Sequence, residues 1–214
     1  MIKINKLSIP SRLTIFRKQS RGIGGVQGYY ELDKRTKDEL RMQLLEETNY
    51  RCAYCMGTLT NRSTIIEHIK PYSILTKMES TEYNNLVINC CTSNTLIKNL
   101  KSCSDNKGNK LLNKVNYLLF SDIEDHITYN LEGNIILINE EDNDLKADIN
   151  TLNLNNNNLV ENRYKVILQT IKMMAEKKRE GKYSNVMKNK YEKYVRETKF
   201  SYPGVVIDLL KKNG

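Results

Sequence analysis

The fold turns on CAYCMGTLTNRSTIIEHIKP, residues 52–71. Cys52 and Cys55 form a C-x₂-C knuckle, which lets two thiolates converge on one ion through a tight turn. The β-branched, apolar run over 64–69 reads as a short strand, and Glu67-His68 sits near its end. All five cysteines (Cys52, Cys55, Cys90, Cys91 and Cys103) lie within this region and the fifty residues around it. Such clustering in an intracellular chain points to metal before disulfide. A tetrahedral shell needs two more sulfurs: Cys103 supplies one, and Cys90 or Cys91 the other, with a loop excursion over 91–102. The remaining cysteine is read as a packing residue.

Outward from this stretch, TKDELRMQLLEET (36–48) predicts a helix. Thr36 stands at the N-cap position with Glu39 closing a capping box, and Leu40, Leu44 and Leu45 form one apolar side. Residues 86–89 predict a second strand, and 107–120 reads as helical. Two strand-like runs between Asp122 and Asn139 flank Leu131-Glu132-Gly133 as a hairpin. Asn143–Asn158 reads as turn. Val160, Tyr164, Ile167, Leu168, Ile171 and Met174 then recur at helical spacing to about Glu180. A further helix is expected over 183–199, and a short one after Pro203-Gly204. The fold class is α+β, divided into an extended arm (1–35), a central domain (36–120) and a hairpin with a basic helical region (121–214).

The chain of 214 residues has 34 Lys+Arg against 25 Asp+Glu, a net charge of +9. It contains no apolar run of membrane-spanning length and no secretory leader, so a cytoplasmic location is expected. Positive charge favours an anionic partner, most commonly nucleic acid. That charge is segregated. Twelve cations and four acids lie between Arg163 and Lys199, a local +8, which leaves +1 for everything else. The C-terminal helices could track a phosphate backbone or present an ordinary solvated face.

His68 and His126 are the two histidines. His126 reads as structural. His68 lies between the halves of the cysteine set, beside Glu67. In that pairing the carboxylate would hold a divalent cation and the imidazole would take a proton from water. Because neighbouring strand residues face opposite ways, both reach one centre only through a turn or distortion. With 26 asparagines present, no single Asn is informative, but the joint order Asn85-Leu86…Cys90…Cys103-Ser104-Asp105-Asn106-Lys107-Gly108 is.

These motifs together (C-x₂-C, E-H-I-x-P, N-L, Cys, C-x₃-K-G) resemble HNH nucleases of the ββα-metal class with an embedded Cys₄ zinc site. Over nearly the whole chain the resemblance is to PtuB-type HNH proteins of Septu and retron anti-phage systems. It implies a metal-dependent endonuclease, DNA being the favoured substrate, working as the effector subunit of a hetero-oligomer with a PtuA-type ATPase subunit. It also implies structural Zn²⁺ on Cys52, Cys55, Cys90 and Cys103, and catalytic Mg²⁺ or Mn²⁺ on Glu67 with Asp105 or Asn106. His68 would be general base, Asn85 would hold the loop carrying it, and Lys107 would contact phosphate. Many relatives carry Asp or Asn directly after the final cysteine, where this chain has Ser104. That departure sustains a second reading, an inactive, zinc-stabilised nucleic-acid-binding adaptor. A third is a zinc-dependent scaffold that only assembles a complex.

Overall fold

The computed structural model describes residues 1–20, 27–60, 64–91 and 100–213. Helices Ser11–Gln19 (α1) and Lys34–Glu47 (α2) come first. Asp33, rather than Thr36, caps α2: its carboxylate accepts from Thr36 N and from the Thr36 hydroxyl, both at 2.9 Å. An ionised side chain aimed at free N–H groups and the positive helix end outcompetes a hydroxyl one turn inside. Leu40, Leu44 and Leu45 are all buried, as their spacing predicts.

Thr64–His68 (β1) and Leu86–Cys90 (β2) pair antiparallel, with Ile66 opposite Ile88 and His68 opposite Leu86. Ser104–Lys107 (α3) and Val115–Leu118 (α4) follow. The single helix expected over 107–120 is therefore not formed. Gly108 takes a left-handed φ of +55°, which ends α3. Asp148 then claims the backbone N–H groups of Asn113, Lys114 and Val115 at 2.7–2.9 Å, so the chain turns there to start α4.

Ile127–Tyr129 (β3) and Ile135–Leu137 (β4) form the expected hairpin. Gly133 at its turn has φ +94°, and a Cβ there would stand 2.4 Å from Val160 O. Only glycine lets the turn sit against the helix that carries Val160. Asn143–Thr151 (α5) occupies much of the stretch read as turn. Asp142 caps it through Leu145 N, and Leu145, Ile149 and Leu152 supply an apolar side that propensity alone does not reveal. Three longer helices close the chain: Asn157–Arg179 (α6), Asn185–Glu197 (α7) and Pro203–Lys212 (α8). Asn156 and Ser184 cap α6 and α7 through side-chain bonds to Leu159 N and Met187 N.

The N-terminal stretch joins the core. Met1, Ile2 and Ile4 are buried, Ile4 N donates to Leu119 O at 2.7 Å, and the Met1 amine bonds the Tyr129 hydroxyl. The same apolar core takes in α2, both strands of the β1–β2 pair, Cys52, Cys55 and Cys103, and most of α8. It thus crosses the boundaries expected at 35 and 120. The result is a mixed α+β fold with two small sheets. No helix among the described residues is long and apolar enough to cross a membrane.

Candidate metal centre and active site

Four sulfurs, those of Cys52, Cys55, Cys90 and Cys103, lie within 4.8 Å of one another. The knuckle is built by backbone: Cys52 N donates to Gly57 O, Met56 N to Cys52 O, and Ala53 N to Ile88 O. The last of these bonds ties the knuckle to β2. Cys90 ends that strand, and Cys103 precedes α3 with its N–H on Leu152 O. Cys91 lies outside the group. Cys52 Sγ is 3.6 Å from Cys103 Sγ, and Cys55 Sγ is 3.9 Å from Cys90 Sγ. A tetrahedral ion with Zn–S near 2.3 Å requires sulfurs about 3.8 Å apart. The four cysteines could therefore hold a metal such as zinc.

The thiols also act on one another's protonation. Burial pushes the Cys52 thiol up, but bonds from Cys103, Cys55 and Cys90 outweigh it and hold Cys52 well below the usual thiol range. Those same contacts push Cys103 up, because a second thiolate beside the first is penalised by like charge. Buried Asn89 adds a detail that the sequence did not suggest. Its Oδ1 is 3.4 Å from Cys52 Sγ, while its Nδ2 has no partner. A metal-bound thiolate only accepts, so the amide turned by half a rotation would bring Nδ2 to Cys52 as donor.

Glu67 and His68, adjacent on β1, face opposite ways, as strand geometry requires. His68 is 8% exposed. Its Nε2 lies 2.8 Å from Ser80 O. A carbonyl oxygen only accepts, so Nε2 carries the hydrogen and Nδ1 the free lone pair. Tyr29 and Tyr72 pack edge-on against the ring at 4.8 and 5.4 Å. Burial lowers the His68 pKa, with the Ser80 bond opposing and Lys107 assisting, so the imidazole is neutral at pH 7. Ser80 is a second residue the sequence reading missed, and it acts through a backbone carbonyl, which leaves no residue-type signal. Its hydroxyl also receives Tyr29 N at 2.9 Å. Asn85 grips the chain just beyond His68: Lys70 N donates to its Oδ1 at 2.8 Å, and its Nδ2 donates to Lys70 O at 3.2 Å.

On the other face, Glu67 Oε1 receives Lys107 Nζ at 2.6 Å. Burial raises the Glu67 carboxyl, and Lys107 pulls it back down. The Lys107 side chain is wholly out of solvent and also donates to His68 O at 3.1 Å. That ammonium, which the resemblance sets against phosphate, is held inside the protein in this structure. Nor is Glu67 free to take a divalent ion as it stands. Its charge is already paired with the Lys107 ammonium, and Asn106 Nδ2 donates to Thr151 O at 3.0 Å. Asp105 adds negative charge near Glu67, but among the described residues the Cys₄ set is the only metal-capable group of three or more His, Cys, Asp or Glu. Ser104 Oγ is buried without a partner.

The basic region resolves into parts. Arg163 is fully buried, donating to Leu154 O and Asn155 Oδ1. Arg196 pairs with Glu124 and Glu192. Lys165, Lys177, Lys182 and Lys193 pair with nearby acids. Lys172, Lys178, Arg179, Lys188 and Lys190 have no acidic partner among the described residues, and Lys178 and Lys188 both stand over the Tyr183 ring. These five are the cations of α6 and α7 still available to an anion. The apolar stripe of α6 also splits. Ile167 and Met174 enter the core, whereas Tyr164, Leu168 and Ile171 are exposed along a groove of about 520 Å³ with Leu131. His126 lies 3.5 Å from Asp122 on a surface turn.

Comparison with protein-family models gave no match, and comparison with curated proteins gave none, so any functional reading rests on the chain's own chemistry.

Proposed function

We propose that this chain is an HNH-type endonuclease that hydrolyses phosphodiester bonds of nucleic acid, DNA being favoured, with His68 as general base. The observation that carries the reading is the state of His68: buried, neutral, with Nε2–H committed to Ser80 O and Nδ1 free to accept a proton. Nδ1 takes a proton from water, the resulting hydroxide attacks phosphorus, and the 3′ oxygen leaves with the electron pair of the broken P–O bond. Asn85 fixes the backbone after His68, so the ring holds its direction while it gains and loses the proton. The four cysteines hold zinc, which anchors the knuckle to β2 and to the start of α3. The PtuA-type ATPase partner and the role in phage defence follow from the resemblance alone.

The test compares wild type with His68→Ala on DNA and RNA, with Mg²⁺ or Mn²⁺, with and without an ATPase encoded beside it. Loss of cleavage with zinc content and melting temperature unchanged is expected. Equal cleavage by both proteins refutes the assignment. One observation favours the inactive-adaptor reading: Glu67, the expected ligand of the catalytic ion, is already paired with Lys107. On that reading neither protein cleaves, while both bind nucleic acid with strong salt dependence.

A further inference from the structure

Lysine side chains are almost never fully buried unless paired. That of Lys107 has no solvent exposure, and its ammonium has three acceptors: Glu67 Oε1 at 2.6 Å, His68 O at 3.1 Å and, more weakly, Gly108 O at 3.5 Å. It thus grips both residues of the Glu67-His68 pair, one through its side chain and one through its backbone. The pairing is held from both ends. β1 carries the acceptors, and α3 carries the lysine four residues after Cys103, whose sulfur belongs to the metal-capable cluster.

We propose that Lys107 is the resident cation of the Glu67 centre: its ammonium stands in for a divalent ion, and the centre takes Mg²⁺ or Mn²⁺ only when Lys107 withdraws. The nuclease reading enters in one respect, in naming the ion that competes.

Charge and geometry argue together. Mg²⁺ binds carboxylate oxygen at about 2.0–2.1 Å and demands a near-octahedral shell. Oε1 already has an ammonium in hydrogen-bond contact. An ion on Oε2 would share that carboxylate with a buried positive charge only a few ångströms away, in surroundings that screen poorly. Lys107 satisfies the carboxylate without any of these requirements. It also positions β1, so the same contact that blocks the ion holds His68 in place. The centre as folded is closed to metal, and opening it requires Lys107 to give up Glu67.

The experiment uses the zinc-loaded full chain and Mn²⁺ alone, with binding followed by the electron paramagnetic resonance of free Mn²⁺. Lys107→Met keeps most of the side chain's length and removes its charge. It is expected to bind Mn²⁺ about 100-fold more tightly than wild type, the size expected when one nearby like charge is removed. Adding Glu67→Gln to that variant is expected to abolish the gain. Equal Mn²⁺ binding by wild type and Lys107→Met overturns the proposal, as does a gain that survives Glu67→Gln. Should Lys107→Met fail to fold, Glu67→Gln in the wild-type background decides: an unchanged, weak Mn²⁺ affinity supports the lock, and disappearance of a tight site overturns it. None of these readouts involves cleavage. If His68→Ala leaves cleavage intact, the nuclease reading falls while the cation lock stands or falls on Mn²⁺.

Discussion

His68 shows how a single ring is prepared for one protonation state. Its ordinary pKa of 6.5 is lowered by burial, so as pH falls the unfolded chain takes up the proton before the folded one. The unfolded state then binds more protons, and stability drops as pH falls through 6.5. We expect the acid limb of the cleavage profile to have its midpoint below 6.5, and the urea midpoint of wild type to fall more than that of His68→Gln between pH 7 and 5.5. A midpoint above 6.5 would mean that burial does not lower the pKa of the ring. Asn89 makes a second residue-scale case. Asn89→Ala removes a side-chain amide beside Cys52 Sγ, and removal of such a supporting group typically costs about 10- to 100-fold in metal affinity. Competition with a chelator measures that cost, and a Co²⁺-substituted sample should show a shifted thiolate absorption. Neither Ser80 nor Asn89 stands out in the sequence as a functional residue. One acts through its carbonyl, and the other is one of 26 asparagines.

At the scale of elements, the knuckle and the C-terminal helices are joined through one side chain. Arg51, just before Cys52, is buried and donates to Thr48 O, Val195 O, Arg196 O and Thr198 O at 2.8–3.2 Å. Three of those carbonyls belong to the last turn of α7 and the residue beyond it, where helix carbonyls lack partners. Burial and nearby Arg196 bring Arg51 down to about 10, which leaves it charged at pH 7. Arg51→Met should cost about 3 kcal/mol, because it strands several buried carbonyls at once. Calorimetry of the zinc-loaded protein checks the magnitude, and a cost below ~1 kcal/mol would mean water replaces the guanidinium. The long amphipathic α6 and the β3–β4 hairpin were legible because apolar periodicity and a glycine turn are local signals. α1 and α5 were not. Their ends and apolar sides are defined by partners distant in sequence: α1 packs against α2, and α5 offers Asp148 to the chain at 113–115.

For the whole molecule, the useful quantity is the charge left after internal pairing. A local excess of +8 shrinks once Arg163 is buried and several lysines are paired. Lys178, Arg179, Lys188 and Lys190 remain near the junction of α6 and α7. Replacing all four with Gln should weaken nucleic-acid binding and flatten the plot of log affinity against log salt by about 0.9 for each duplex phosphate left without its cation. Zinc content should not change. An unchanged slope would place the binding surface elsewhere.

Local signals in the sequence suffice for the α+β composition, the two strands around His68, the membership of Cys52, Cys55 and Cys103 in one sulfur set, and the basic character of the C-terminal helices. Each depends on spacing or composition, and these act within a few residues along the chain. Tertiary structure chose Cys90 over Cys91, moved the N-terminal residues into the core, and buried Arg163. It also placed the Lys107 ammonium against Glu67. These outcomes depend on which groups meet when β1, α3 and α5 close around one core. A buried charge must take whatever counter-charge the fold brings to it.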